Sequence, residues 1–242
     1  CKYLAKNYEG AIAPQTSLVE TLAERRDQDL DLARRWIKEA GTLAVLHGIL
    51  HNFNTAKMVW QMIAVADTPT QTLHYEKIKQ LYPAMITVGM DTGDDLFTEE
   101  ASSKALSLME TNPQLFSVGL QCDVLFHCAS YFLASNRIPK AAKILFRLRG
   151  FAKTSFRPPI YAMTKVLEIV LEIEQGTYED AIRLCKNLRM SKHDRYVPGM
   201  GVGLQLLAAI ATSISDPGNS WFQISANPNF KKMIADLEGQ PI

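Results

Sequence analysis

Residues 160–191 read IYAMTKVLEIVLEIEQGTYEDAIRLCKNLRMS, and this stretch decides the fold. Met163, Val166, Ile169, Val170 and Ile173 recur at steps of three and four, which lines one face of a helix with apolar atoms. Gly176 supplies the left-handed conformation that ends a helix, and Thr177 is placed to cap the next one. Asp180 stands three residues after that cap, where a full capping box has a longer Glu or Gln. The second helix carries Tyr178, Ala181, Ile182, Cys185 and Leu188 on its inner side. One such hairpin cannot bury its whole apolar face, so neighbouring hairpins must stack.

The pattern occurs twice. Ala129, Phe132, a corner at Asn136, Ile138, Ala141 and Leu145 match Ile169, Glu172, a corner at Gly176, Tyr178, Ala181 and Cys185 at a constant offset of about forty residues. The best repeats are therefore 122–150 and 160–190. The spacing of Gly176, Tyr178 and Ala181 resembles the tetratricopeptide repeat, whose second helix opens with Gly-x-Tyr-x-x-Ala. The resemblance runs from Cys122 to Met190, and the rest of the chain shares only the helical rhythm. The sequence departs from that family at Glu172, where an aromatic is usual, and at Ile169, where a small residue is usual. Its repeat also exceeds the ~34 residues of a regular array. The resemblance implies an all-α, right-handed superhelix of stacked antiparallel hairpins over residues 1–242, as one domain. It implies binding and no particular activity, and the peptide-carboxylate clamp of regular arrays does not carry over.

Outward from the hairpin, the chain alternates helix and corner. Asn7 to Ala11 has corner chemistry, Pro14 stops what precedes it, and Ser17–Glu24 reads as one short helix. Asp29–Leu50 reads as a longer helix. Thr55 is placed to cap a helix to Ala66, and residues 71–90 form another, with Pro83 predicting a kink or an end near Leu81. Thr98 is placed to cap a helix to Glu110, and Thr111-Asn112-Pro113 punctuates the chain before a long helix to Ala134. Pro139 opens the helix that ends at Gly150, and Arg157-Pro158-Pro159 opens the deciding hairpin. A loop over 192–199, a helix over 201–214, a turn at 216–219 and a short helix containing Phe230, Met233, Ile234 and Leu237 complete the expectation. No run alternates with period two, so no sheet is expected.

Composition excludes several classes. The chain of 242 residues is 47% hydrophobic and 21% charged, as ordinary globular proteins are, and its formal net charge of +1 supplies no global field for nucleic acid or membrane. No apolar run approaches the ~20 residues of a membrane-spanning helix. Four scattered cysteines fit reduced thiols and a cytoplasmic setting better than a disulfide scaffold. Cys1 reads as a fragment boundary, which leaves room for a longer chain with this piece at its C-terminal end. A lipid anchor at Cys1 is the weaker reading.

Candidate chemical sites have plain alternatives. His47 and His51 lie one turn apart, but Gly48 stands where the zinc-protease pattern needs a general-base Glu. Cys122, His127 and Cys128 lack knuckle spacing and a fourth ligand, and buried cysteine acts as a small hydrophobe. Gly199, Gly201 and Gly203 follow no strand, so they are no dinucleotide fingerprint. We therefore expect no catalytic residue, no metal site and no cofactor.

Charge is unevenly spread. Residues 137–195 hold thirteen Lys or Arg against six Asp or Glu, while the remainder holds thirteen against nineteen. Lys140, Lys143 and Arg147 share a face of one second helix, and Arg183, Lys186 and, less squarely, Arg189 share a face of the next. These six residues are the expected partner-binding stripe. The expected function is a non-catalytic scaffold for a protein or peptide partner of acidic character. A nucleic-acid-binding repeat using residues 137–195 is the alternative, because Phe146, Phe151, Phe156 and Tyr161 interleave with the basic residues. A small-ligand sensor is a third reading.

Overall fold

A computed structural model describes residues 7–190 and 200–215. Among the described residues there are ten α-helices and no strand. They are α1 (Glu9–Ala23), α2 (Leu30–Ile49), α3 (Phe53–Val65), α4 (Gln71–Thr92), α5 (Asp95–Thr111), α6 (Val118–Ala134), α7 (Ile138–Arg149), α8 (Pro158–Glu174), α9 (Tyr178–Met190) and α10 (Met200–Ser215). Short 3-10 turns at Pro113–Leu115 and Lys153–Ser155 precede α6 and α8. The loop expected over 192–199, the turn at 216–219 and the last short helix lie outside the described residues, as do Cys1 and Gly199.

Four of the helix corners are built alike. His51, Gly93, Asn136 and Gly176 are left-handed, with φ of 60°, 68°, 57° and 77°. At each, the next residue's N–H reaches back five residues to a carbonyl: Asn52 to His47, Asp94 to Gly89, Arg137 to Phe132 and Thr177 to Glu172, at 2.7–3.0 Å. The left-handed residue itself donates three residues back, to Gly48, Met90, Leu133 and Ile173. This paired bonding satisfies the carbonyls that a helix end otherwise leaves bare. The corners recur about every 42 residues, so the two repeats legible in the sequence are members of a set of four.

Burial follows the corners. Five residues after each stand Ala56, Thr98, Ala141 and Ala181, all buried. Nine after stand Trp60, Ser102, Leu145 and Cys185, and twelve after stand Ile63, Ala105, Leu148 and Leu188, again all buried. Seven before stand Ala44, Ile86, Ala129 and Ile169, each wholly buried. The small residue five after the corner lets the second helix lie close on the first. In α8, Met163, Val166 and Ile173 are half-buried around Ile169, and they meet Ala181, Cys185 and Leu188 of α9 as the periodicity predicts.

The chain divides between His127 and Cys128 into two compact units. In the first, α2 packs on α1, α3 and α4, and α4 packs on α3 and α5. Its core joins Trp36, Ile37 and Leu43 of α2 to Trp60 and Ile63 of α3 and to Leu73 and Leu81 of α4. In the second, α8 packs on α7, α9 and α10, and α9 packs on α10. First helices of successive hairpins therefore touch (α2 with α4, α8 with α10), and so do α3 with α4, α7 with α8 and α9 with α10, each a second helix and the first helix that follows.

Several local expectations are corrected. Helix α1 starts at Glu9 and runs through Pro14, because Ala11, Gln15, Val19 and Leu22 bury one continuous face. Asn7 Oδ1 accepts the Gly10 N–H at 3.0 Å, the cap that a corner reading of Asn7 did not foresee. Helix α4 passes Pro83 without ending. Thr55 and Thr98 cap nothing: the corners at His51 and Gly93 start α3 at Phe53 and α5 at Asp95. Asp94 caps α5 by accepting from the Phe97 N–H at 3.1 Å. The Thr177 hydroxyl, expected to cap α9, lies 2.9 Å from the Glu172 carbonyl and 2.6 Å from its carboxylate. That contact gives a use to Glu172, the residue at odds with the family pattern.

Candidate functional site

Helix α7 turns Ala141, Ile144, Leu145 and Leu148 inward. The same geometry leaves Lys140, Lys143 and Arg147 exposed. Helix α9 buries Ala181, Cys185 and Leu188 and leaves Arg183 and Lys186 exposed. The side chain of Arg189 lies outside the described residues. Lys140 rests over the Phe132 ring, 5.0 Å from its centre, and Arg183 pairs with Asp180 at 2.7 Å. Lys143, Arg147 and Lys186 form no ion pair among the described residues.

The aromatics among these basic residues are unequally available. Phe146 is 77% exposed, but Phe156 is buried with its ring against the edge of Tyr161. Tyr161 in turn lies beneath Lys153 and Lys165, whose ammonium groups are 5.2 and 5.6 Å from the ring centre.

Beside Tyr161 is a feature that the sequence reading missed. Glu168 of α8 is 3% exposed, and both its oxygens accept from Lys165 Nζ, at 2.8 and 3.1 Å. Arg149 Nε stands 3.6 Å away, and the same guanidinium reaches Glu172 at 3.4 Å. A cavity of about 300 Å³ opens there, lined by Lys153, Tyr161, Lys165 and Glu168 with Leu184 and Asn187 of α9. A buried carboxylate flanked by two cations is a satisfied ion-pair centre. The available signal was an acid at 168 inside an apolar stripe, with a lysine three residues before it.

A second cluster lies in the first unit, on the seam between α2 and α4. Arg34 approaches Glu76 at 3.9 Å, Gly41 meets Gln80, and Gly48 meets Val88. These contacts advance in the same direction on both helices, so α2 and α4 run parallel. As at Gly48, where a Cβ would lie 2.8 Å from Val88 Cγ2, the seam is tight at Gly41, where a Cβ would lie 2.8 Å from Gln80 Oε1 and 2.9 Å from Gln80 Cβ. On one side of Gly41 is a charged cavity of about 390 Å³, lined by Asp31, Arg34, Arg35, Lys38, Glu39, Glu76 and Lys79. On the other is an apolar cavity of about 250 Å³ lined by Val45, Gly48, Ile49, Pro83, Ala84, Thr87 and Val88, with Asp91 and His127 at its margin. His127 is held there by Thr87, 3.1 Å from Nδ1 to Oγ1.

Other sequence candidates separate. His47 sits on α2 with Nδ1 buried and unpartnered, and burial lowers its pKa. His51 is a corner residue whose ring edge packs on Phe53 at 5.5 Å. Cys122 and Cys128 are wholly buried, and neither is in a disulfide. Among the described residues no group of three or more His, Cys, Asp or Glu is placed to hold a metal ion, and no helix is long and apolar enough to cross a membrane. Comparison with protein-family models, with curated proteins and with solved structures finds no match to this chain.

Proposed function

We propose that this chain is a non-catalytic helical-repeat scaffold that binds a protein or peptide partner, with its hairpins wound into a right-handed, tetratricopeptide-like superhelix. The observation that carries the reading is the recurrence of one corner geometry at His51, Gly93, Asn136 and Gly176, with the same buried positions around each. Repeated hairpins that touch only their neighbours form extended surfaces, and such surfaces suit peptides and helices. The argument passes from architecture to function by analogy with other repeat proteins.

The covering of Tyr161 by two lysines and the burial of Phe156 leave few free aromatic faces for stacking bases, which favours a protein partner over nucleic acid. The test is capture of partners on the purified chain, followed by titration with each recovered protein after purification and, separately, with a single-stranded RNA oligonucleotide. Saturable binding of a purified protein supports the reading. RNA binding that survives physiological salt, with no protein bound, overturns it. Reversing Lys143, Arg147, Arg183 and Lys186 to Glu tests the exposed stripe in the same assay. Unchanged binding at low and moderate salt would leave those residues as a solvated face.

A further inference from the structure

We infer that the α2–α4 seam is a two-part docking groove for an extended segment of a partner protein bearing an aliphatic anchor and, about three residues away, a cluster of carboxylates. The inference rests on the scaffold reading and assigns that scaffold a site away from the α7 and α9 stripe.

Charge complementarity selects the acidic half of the partner. In the charged cavity Glu76 is 4% exposed and already satisfied by Gln80 Nε2 at 2.8 Å, with Arg34 and Lys79 nearby at 3.9 and 3.8 Å. Glu39 is engaged by Gln15 Nε2 at 2.9 Å. Arg35 and Lys38 are exposed and form no ion pair among the described residues. Two of the three carboxylates of this cavity are thus committed to neighbours in the fold, and the third, on exposed Asp31, stands against Arg35 and Lys38, so that four cations against three carboxylates leave one net positive charge for an outside anion.

The apolar half follows from the other side of Gly41. Val45 and Ile49 are 37% and 46% exposed at the mouth of the apolar cavity, one turn apart on α2. Pro83 and Ala84 of α4 form the facing wall. An aliphatic side chain placed there covers surface that the fold leaves wet. Lys38 and Val45 are seven residues apart on one helix, a rise of about 10 Å. An extended chain crosses that distance in about three residues at ~3.3 Å each. The Gly41–Gln80 contact keeps the two halves apart, so the groove reads spacing as well as composition.

The probe is a set of fluorescein-labelled peptides carrying a Leu-Ile pair and a Glu-Glu-Asp cluster, in both orders, separated by none to about eight Gly-Ser residues. Binding to the full chain is followed by fluorescence anisotropy. The expected result is an affinity maximum near a spacer of about three residues in one order. Arg35→Glu with Lys38→Glu should weaken that maximum about tenfold and reduce its salt dependence, and Val45→Ser with Ile49→Ser should weaken it while leaving the salt dependence in place. All four positions are exposed, and unchanged circular dichroism confirms that the variants fold. Reversal of Lys143, Arg147, Arg183 and Lys186 to Glu should leave the spacer dependence of the affinity in place. Affinity independent of spacer length, or indifferent to both seam pairs, overturns the inference. If the chain binds a purified protein partner equally well with and without the seam substitutions, the seam inference fails and the scaffold reading stands. If neither peptide nor protein binds, both fail.

Discussion

Replacing Gly176 by Ala isolates the cost of a left-handed corner. Gly176 has φ of +77°, and a Cβ added there would meet no atom within 4 Å. Steric overlap with neighbours therefore contributes nothing, and the penalty is the backbone conformation itself. A left-handed L-residue costs ~1–2 kcal/mol. Losing the freedom of glycine in the unfolded chain returns ~0.4–1 kcal/mol. The expected net loss is about 1 kcal/mol, which for a chain of 242 residues lowers the melting midpoint by about 2–4 °C. Urea titration followed by far-ultraviolet circular dichroism measures it. Gly176→Asn supplies the control, because Asn136 occupies the equivalent corner at φ of 57°. Asn should recover most of what Ala loses. A neutral Gly176→Ala, or an Asn variant as unstable as the Ala variant, would refute the assignment of these corners to one conformational class.

Ala181 and Ala56 are wholly buried at the same place in two hairpins. Ala181→Leu and Ala56→Leu should each overpack a helix pair and cost ~1–3 kcal/mol in the same titration. Asp94 has its pKa held below the ordinary carboxylate value, first by the hydrogen bond from Lys57 and then by that from the Phe97 N–H. Its stabilisation should be complete above the unfolded value near ~4 and be lost as pH falls through the lower folded value. The stability gap between the unaltered protein and Asp94→Asn should therefore close on acidification below pH ~4. The Cys122 thiol is pushed up to about 11, by burial first and by Asp123 second, so it should resist alkylation at neutral pH until denaturant is added.

The corners at Asn136 and Gly176 were legible because Asn and Gly are the residues that accept a left-handed backbone. His51 adopts the same conformation without that signature, so its hairpin escaped the pattern. Gly93 lies in the run DTGDDLF over 91–97, which reads only as a turn, and Thr98 resembled a cap although it fills the position that Ala takes in the other three hairpins. Individual residue types conceal a repeat that backbone geometry reveals. The six basic residues were readable as helix faces, and α7 and α9 do turn the described ones outward. The α2–α4 seam was not readable, because it depends on which residue of one helix meets which residue of another some forty positions away. Glu168 was hidden for a related reason: Arg149, one of its two cations, lies on a different helix.

Because the corners at His51 and Gly93 have the same bonding, residues 52–93 begin just after one such joint and end on the next. A second copy of that segment spliced in behind Gly93 would bring Asn52 to follow a left-handed residue, as it already does behind His51. The copied helices would meet α4 where their originals meet α2, and both α2 and α4 bury the residue seven before the corner, Ala44 and Ile86. A gene lengthened by one such block would encode a protein with one more hairpin and no new kind of junction. The length of such a protein is thus open to change in whole steps, and a deletion of part of a block would leave a helix without its corner.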